Sequence, residues 1–429
     1  MATSFFLLLA LGVGAQDLKP RVAAYMNAQV EVNHFKGAIL IAEKGTVLVT
    51  EQYGPATSVS EEPATGNNKY PLGSIAKQFI AAAILQLQEK GQLHLQDSVC
   101  SYIAKCPIGW DEIKILNLLA QTGGIRDPGR SSNSEMGSGL PDSLVGESLE
   151  FKPGEKFKYS NSGYAVLAAI IEKVSGEPYR RYLKNHIFIP LGMHETGFDA
   201  IPEASEGAPA HGGNSITPND LGSAAAYRWD RVYSTVDDLY RWDRGLEGEE
   251  LLSEASRNAM FTPYTDGYGF GWAIMKEFGR RMDTQAEGIV LFGSAIRRYP
   301  DDDVCVIVLS NSGNADAGRI SRDLAANLFG KHYELPVEPV AIHVNPAVYD
   351  SYVGTYELAP DFILVVRRKA DRLTIQGSGQ SEIEIVPESE TRFFARGLGA
   401  VVNFVRGPQG HAIQLVLQQG GGDIPAARR

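Results

Sequence analysis

The hydrophobic and polar positions near the start of the chain alternate as they do in a β-hairpin. Residues 37–50 form two β-rich runs on either side of Lys44-Gly45, a dipeptide that favours a tight turn. The pattern then changes, because in residues 74–90 the apolar side chains cover most of a helix circumference and Gly91 provides a stop signal. We therefore expect antiparallel strands first and then a helix that is buried on nearly all sides.

The middle of the chain predicts helices and loops, and β-rich runs return after it. The predicted elements are helices at 163–174, 236–246 and 319–328 and strands at 268–274, 289–299 and 304–309. Strands at both ends of this region enclose helices in its middle. This order predicts an α/β (α+β) fold, in which an antiparallel sheet is flanked by helices and accompanied by a helical subdomain.

A stretch that contains several prolines separates this region from a different pattern. Residues 331–346 break the regular periodicity, so we expect a linker there with a boundary near residue 340. Short β-rich runs follow, with Gly, Asp or Pro between them, at 363–366, 373–376, 382–386, 401–405 and 413–417. The sequence predicts two domains, residues 16–335 and a small all-β barrel over residues 345–429.

The first residues of the chain resemble an export signal. A short apolar run at 5–14 ends in small residues, Val13-Gly14-Ala15, where a signal peptidase would cut. We therefore expect a signal peptide at residues 1–15 and export to the periplasm or the exterior. No Lys or Arg precedes the run, which leaves a misassigned start codon or a buried N-terminal segment as the alternatives. The run is too short to span a bilayer, so no membrane span is expected.

Composition and charge exclude several classes of protein. The chain has 429 residues, a formal net charge of −11 and only short basic stretches, which argues against nucleic acid as a partner. Its three cysteines form no CxxC motif or Cys/His cluster, so neither a metal site nor a cofactor is expected. Cys100 and Cys106 either close a small disulfide loop or remain as two buried thiols.

The start of the predicted helix at 74–90 carries a candidate nucleophile. Ser74 and Lys77 are three residues apart, which places both on one helix face and the amine within reach of the hydroxyl. Free N–H groups at a helix start suit the oxyanion of acyl transfer, and burial can make a lysine a base near neutral pH. The alternative is structural, with Ser74 as an N-cap and the Lys77 head in solvent.

Tyr159-Ser160-Asn161 offers a phenol and an amide where a loop meets the predicted helix at 163–174. A phenolic oxygen in this place could relay the proton of a leaving group. The alternative is that Tyr159 packs and Asn161 caps the helix. The same triplet pattern at Tyr25-Met26-Asn27 shows that it is not specific by itself.

The order of these motifs carries a family resemblance. Ser-x-x-Lys, then Tyr-x-Asn about eighty residues later, then a late strand is the arrangement of serine β-lactamases and penicillin-binding proteins. Over residues 30–330 the chain resembles class C-type β-lactamase-related serine hydrolases, a group with D-aminopeptidases, DD-peptidases and β-lactamase-like esterases. The likeness rests on Tyr70-Pro-Leu-Gly-Ser-Ile-Ala-Lys77, on residues 151–164, 190–193 and 233–239, and on Arg298-Tyr-Pro-Asp-Asp-Asp303. Residues 353–357, Val-Gly-Thr-Tyr-Glu, resemble the opening of a lipocalin-like barrel domain.

The chain departs from this family at the third motif. Relatives carry Lys-Thr-Gly or His-x-Gly on the strand beside the active site, where the resemblance places Gln-Ala-Glu at 285–287. Gln285 can donate a hydrogen bond but has no charge, so anionic substrates should bind less well. Glu287 adds a negative charge near a site that stabilises an oxyanion. Gln121 stands where relatives have a histidine, and the His-Gly-Gly at 211–213 has a loop pattern and is not assigned to the motif.

The resemblance implies acyl transfer to water through an acyl-enzyme on Ser74. The implied catalytic residues are Ser74, Lys77 and Tyr159, and the implied substrate-binding residues are Asn161, Gln285, Gly288 and Gln121. The expected partner is a small ester, amide or D-amino-acid peptide, in preference to a penicillin. The rival hypothesis is a binding protein that keeps the hydrolase fold but has impaired catalysis. A Ser-His-Asp esterase is not supported, since the chain has no Gly-x-Ser-x-Gly motif.

Overall fold

The structure is a computed structural model, and it describes residues 17–54, 68–127, 148–198, 232–289, 292–312, 315–337, 340–359, 362–378, 382–395, 400–419 and 422–429. The α-helices are α1 Leu18–Asn33, α2 Ala76–Glu89, α3 Ile115–Leu119, α4 Asn161–Ser175, α5 Tyr179–Leu183, α6 Val236–Gly245, α7 Glu254–Met260 and α8 Ala317–Leu328. Short 3₁₀ turns occur at Gly73–Ile75, Val99–Ser101, Pro300–Asp302 and Pro346–Ser351, and a π-helical turn at Lys184–Phe188.

The strands belong to two sheets and a barrel. They are β1 Gly37–Glu43, β2 Thr46–Tyr53, β3 Tyr70–Pro71, β4 Gly197–Phe198, β5 Val232–Ser234, β6 Ala273–Glu277, β7 Arg280–Ile289, β8 Phe292–Tyr299, β9 Val304–Ser310, β10 Gly354–Ala359, β11 Phe362–Lys369, β12 Arg372–Gly377, β13 Ile383–Pro387, β14 Arg392–Ala395, β15 Ala400–Arg406, β16 Ala412–Gln419 and β17 Gly422–Arg428. The first sheet is antiparallel with the order β2-β1-β9-β8-β7-β6, and a small one has the order β3-β5-β4.

The six-stranded sheet lies between two apolar cores. Because side chains alternate between the faces of a strand, β1 contributes to both. Leu40 belongs to the core that contains α2 and α4, whereas Ile39 and Ile41 belong to the core that contains α1 and α8. The predicted antiparallel sheet with flanking helices is thereby confirmed. The hairpin of β1 and β2 is confirmed too, with its turn at Lys44 and Gly45, both of which have positive φ.

The predicted strand at 268–274 is wrong over most of its length. Only Ala273 and Ile274 belong to β6, because the preceding residues form turns against α2. Gly271 adopts a φ of 79°, and a β-carbon there would lie 2.9 Å from the Cα of Gln78. The sequence also predicts that a strand begins at Ile289, but this residue ends β7, whose largely polar sequence gives no clear strand signal.

The predicted helices form with small shifts of their ends. Helix α4 begins at Asn161, two residues before the predicted start, because the Ser160 hydroxyl caps it by accepting from the Gly163 N–H. The helix predicted at 74–90 begins as the 3₁₀ turn Gly73–Ile75 and continues as α2. This turn contacts β7 and β8, so the candidate nucleophile lies directly beside the strand that carries the third motif.

The C-terminal strands β10 to β17 form a closed antiparallel barrel, which confirms the predicted all-β barrel. Its core is packed with aromatic side chains. The rings of Tyr352 and Phe404 stack with their centroids 4.3 Å apart, and Phe393 meets Phe404 edge-on at 5.5 Å. Buried aromatic side chains therefore fill much of the interior of the barrel, as far as its described residues show.

The structure pairs Cys100 with Cys106 in a disulfide, with 5.2 Å between their Cα atoms, and leaves Cys305 as a buried thiol. Of the two alternatives for the first pair, the disulfide is the one that forms. Among the described residues, none of the helices combines the length and hydrophobicity that crossing a lipid bilayer requires. The predicted signal peptide, residues 1–15, lies outside the described residues.

Candidate active site

Ser74 lies in the 3₁₀ turn that leads into α2. The turn is anchored from two sides, since the Ser294 hydroxyl donates to the Leu72 carbonyl at 2.9 Å and the Leu72 N–H donates to the Val232 carbonyl at 2.9 Å. The N-cap of α2 is Ile75, and no side chain caps this helix. Capping therefore does not explain Ser74, and its hydroxyl is held by other partners.

Lys77 is fully buried on the first turn of α2, so the alternative that its head reaches solvent is wrong. Its Nζ lies 2.9 Å from the Ser74 Oγ and 2.8 Å from the Asn161 Oδ1, and donates to both. Asn161 belongs to α4, which packs on α2. The expectation that Asn161 only caps a helix is also wrong, because Ser160 takes that place and leaves the amide for Lys77.

Tyr159 completes the contacts of the candidate nucleophile. Its hydroxyl donates to the Ser74 Oγ at 2.7 Å, and its ring lies 4.6 Å from the Lys77 Nζ. The residue as a whole is 37% exposed, but its hydroxyl points inward at Ser74, and the surroundings of the hydroxyl decide its acidity. Desolvation, followed by the nearby Tyr268, raises the pKa of Tyr159 well above its ordinary value. The phenol therefore keeps its proton at neutral pH.

The third-motif residues Gln285 and Glu287 reach the site from β7. They are two residues apart, which places both on the same face of the strand. The Gln285 amide donates to the Tyr159 hydroxyl at 3.3 Å, and a Glu287 carboxylate oxygen accepts from the Ser74 backbone N–H at 3.1 Å. Gln285 thus lies beside Tyr159, on a strand as the resemblance implies, and its role in substrate binding stays a prediction. Gly288 follows in β7 and pairs with Gly293 of β8.

Gln121 lies behind the Tyr159 segment and is only 2% exposed. Its amide oxygen accepts from the Ser160 N–H at 2.8 Å, and its carbonyl accepts from the Lys158 N–H at 2.9 Å. These bonds hold the chain on both sides of Tyr159. The contacts make Gln121 a support for the site, and its role in substrate binding stays a prediction.

Asp127 is a site residue that the sequence does not reveal. Its carboxylate accepts from the N–H groups of Asn161 at 2.9 Å and Ser162 at 2.8 Å, and from the Ser160 hydroxyl at 2.9 Å. A carboxylate at a helix N-terminus satisfies free N–H groups and favours the positive end of the helix dipole. No spacing rule connects a loop aspartate with a motif more than thirty residues away, so only the folded chain identifies it.

No cluster of three or more His, Cys, Asp or Glu side chains that could hold a metal ion occurs in the part of the chain that the structure describes. The His-Gly-Gly at 211–213 lies outside the described residues. The described site consists of a hydroxyl, a buried amine, a phenol and two amides, with the Glu287 carboxylate beside them. Such a set can activate a hydroxyl for attack on a carbonyl and pass a proton to a leaving group.

Comparison with known proteins identifies the family of this chain. The family model described as Beta-lactamase matches residues 22–331, and the model described as a domain of unknown function, DUF3471, matches residues 338–424. Penicillin-binding protein 4* of Bacillus subtilis (strain 168) is 30% identical over 435 residues, which cover 93% of this chain and 96% of that protein.

Two solved structures illustrate the shared fold. The octameric penicillin-binding protein homologue from Pyrococcus abyssi has a TM-score of 0.63 and 23% identity, and the match covers 95% of this chain and 99% of the other. The D-stereospecific amidohydrolase from Streptomyces sp. has a TM-score of 0.59 and 22% identity, over 73% of this chain and 99% of the other. At this identity the likeness establishes the fold.

Proposed function

This chain belongs to the β-lactamase and penicillin-binding-protein family, and from that premise we propose that it is a serine hydrolase that forms an acyl-enzyme on Ser74. The observation that carries the proposal is the convergence of two proton-carrying groups on one oxygen. The Ser74 Oγ is held by the Lys77 Nζ at 2.9 Å and by the Tyr159 hydroxyl at 2.7 Å. A nucleophile in contact with a base and an acid is the arrangement that acyl transfer requires.

In the acylation step, neutral Lys77 accepts the Ser74 proton while the Oγ attacks the substrate carbonyl. The N–H groups of Ser74 and Gly288 then stabilise the oxyanion. When the tetrahedral intermediate collapses, the bond to the leaving amine or alkoxide breaks, and Tyr159 passes it a proton that Lys77 replaces. Water then attacks the resulting ester while Lys77 accepts one of its protons. When the second tetrahedral intermediate collapses, the bond to the Ser74 Oγ breaks and Lys77 returns this proton to the Oγ, so that the acid leaves and both residues regain their starting state.

The raised pKa of Tyr159 supports the assignment of Tyr159 as the proton donor and of Lys77 as the base. Because burial keeps the phenol protonated, Tyr159 suits the donor role better than the role of a phenolate base. Lys77 is then the group that receives the Ser74 proton. The Lys77 amine is also oriented from its far side, since Asn161 accepts one of its hydrogen bonds at 2.8 Å.

The substrates we propose are small esters, amides or D-amino-acid peptides, in preference to penicillins. Gln285 offers hydrogen bonds but no positive charge where relatives use a cation, so a substrate carboxylate gains little there. The Streptomyces neighbour is named as a D-stereospecific amidohydrolase, which supports amides as a class. Export remains part of the proposal, and the Cys100–Cys106 disulfide supports it because such bonds persist in oxidising compartments.

Intact-mass spectrometry after treatment with a fluorophosphonate or activated-ester probe tests the nucleophile without knowledge of the substrate. We expect one adduct, mapped to Ser74 and absent from Ser74→Ala. Ser101→Ala, a substitution outside the site, should leave the adduct unchanged. Failure of the wild-type protein to form an adduct at high probe concentration would overturn the proposal.

The rival candidate is a binding protein with the hydrolase fold, and one contact favours it. The Glu287 carboxylate accepts from the same Ser74 N–H that should stabilise the oxyanion. If the wild type does not react with the probe and Glu287→Gly does, the binding-protein hypothesis is correct. Reaction of the wild type favours the hydrolase.

A further inference from the structure

The Glu287 carboxylate occupies a position that the substrate needs. Its Oε2 lies 3.1 Å from the Ser74 N–H, a donor that must turn to the carbonyl oxygen of the substrate during acyl transfer. The carboxylate therefore stands in for the oxyanion in the free protein. Productive binding requires that Glu287 leaves this N–H.

The surroundings of Glu287 are shaped to hold its side chain there. The side chain lies across Gly73, where a β-carbon would come within 2.3 Å of the Glu287 Cγ, and Gly73 also has a positive φ of 51°. Glu287 pairs with Ser294 of β8, whose hydroxyl anchors the nucleophile turn through Leu72. The space above Gly73 and the register of β7 with β8 therefore both place the Glu287 side chain against the Ser74 N–H.

The charge of Glu287 has a cost for most substrates. An oxyanion that forms beside a carboxylate is repelled by it, and the repulsion is larger in a partly buried site than in water. A neutral acyl group displaces the Glu287 carboxylate from the Ser74 N–H and offers it no donor in exchange. A substrate with a positive charge close to its carbonyl offers the carboxylate a charged donor in exchange for the Ser74 N–H.

The geometry points to the position of that charge. An ammonium group on the carbon next to a carbonyl lies close to the carbonyl oxygen, and Glu287 Oε2 marks where that oxygen will bind. The carboxylate has only to turn from the Ser74 N–H to the neighbouring ammonium. A charge-assisted hydrogen bond replaces the one that is lost, and the ammonium offsets the negative charge beside the oxyanion.

We propose that Glu287 makes the site selective for acyl groups with a free α-ammonium, that is, for amides and esters of α-amino acids. This inference rests on the proposed acyl-enzyme at Ser74. It assigns to Glu287 the role of a specificity determinant, in a position where a glycine would leave the oxyanion donors open to any acyl group.

The test compares two p-nitroanilides that differ in a single group, alanyl and isobutyryl, in which a methyl group replaces the ammonium. Both enantiomers of the alanyl compound are assayed. The wild type should prefer the better alanyl substrate in kcat/KM by about tenfold or more, and Glu287→Gln should lose about tenfold of that preference. Glu287→Asp, which keeps the charge, should retain part of it. The control Glu51→Gln, in β2 of the same sheet, should keep all of it.

The pH profile gives a second readout. The preference should fall as the substrate amine loses its proton, at a pH of about 8, while turnover of the isobutyryl compound shows no such change. An equal preference in wild type and Glu287→Gln, or a wild type that prefers the isobutyryl compound, would overturn the inference and leave the hydrolase in place. If the mass probe also fails to label Ser74, the proposed function and this inference both fall.

Discussion

The Asp127 carboxylate accepts a hydrogen bond of 2.9 Å from the Asn161 backbone N–H, and the Asn161 side chain in turn accepts from Lys77 at 2.8 Å. One residue of α4 is thus bound on its main chain by a loop carboxylate and on its side chain by the candidate base. The loop before α4 thereby sets the position of Asn161, and with it the neighbouring Tyr159. Asp127 acts on the site through these residues.

Replacement of Asp127 should damage both stability and turnover. Asp127→Ala removes the acceptor for three donors, so we expect a loss of about 1–2 kcal/mol in the free energy of unfolding. Displacement of Tyr159 and Asn161 should lower kcat by about 10- to 100-fold. Denaturant unfolding and steady-state kinetics measure the two effects. The control is Asp316→Ala, which removes the N-cap of α8. It should cost similar stability but leave kcat unchanged, and equal kcat values for the two variants would contradict the positioning role.

Lys77→Ala should lower kcat by about 10³-fold or more, because the Ser74 proton loses its acceptor. Lys90 follows the last turn of the same helix and contacts Tyr182, so Lys90→Ala is the matched control and should retain full turnover. The rate at which the probe labels Ser74 is measured by mass spectrometry for each variant and compared with that of the wild type. Fast labelling of Lys77→Ala would show that another group activates the serine.

Tyr159→Phe should lower kcat by about 10²-fold, since the leaving group loses its proton donor. Titration offers an independent check. The pKa of Tyr159 is raised above the ordinary value of 10.0, so this phenol stays protonated while ordinary exposed tyrosines ionise. As the pH is raised to 10.0, the phenolate absorbance should therefore increase equally in the wild type and in Tyr159→Phe. An ordinary tyrosine is half ionised at pH 10.0, so a deficit of about half a phenolate or more in the variant at that pH would contradict the assignment.

Gln285→Lys should raise kcat/KM for substrates that carry a carboxylate. A cation at this position attracts the substrate anion, and we expect kcat/KM for a peptide with a free C-terminal carboxylate to rise by about tenfold. The methyl ester of the same peptide is the control and should show little change. An equal rise for both compounds would point to a general effect on Tyr159, which Gln285 contacts at 3.3 Å.

The disulfide can be tested by counting thiols. The unfolded but unreduced protein should react with one equivalent of a thiol reagent, at Cys305, and with three equivalents after reduction. Cys100→Ser with Cys106→Ser should lower the free energy of unfolding by about 2 kcal/mol, the value for a short closed loop. Three reactive thiols before reduction would contradict the bond between Cys100 and Cys106.

Local patterns predicted much of the fold. The hairpin at 37–50, the buried helix after Ser74 and the alternating strands of the barrel depend on neighbours a few residues apart, so their periodicity is visible in the sequence. The Ser74–Lys77 pair belongs to the same class, because a spacing of three places both on one helix face. The strand predicted at 268–274 is wrong because the conformation of this segment depends on a long-range contact with α2, which local periodicity does not reveal.

The sequence by itself determined most of the element types, the barrel, and the spacing that places Ser74 and Lys77 on one helix face, whereas only the family resemblance placed Gln285 on a strand. Only the tertiary structure decided that Asp127 holds α4 and that Glu287 meets the Ser74 N–H, 213 residues away. The first group follows from short-range geometry. The second depends on the register of β7 with β8 and on the space above Gly73, and both exist only after distant segments pack together.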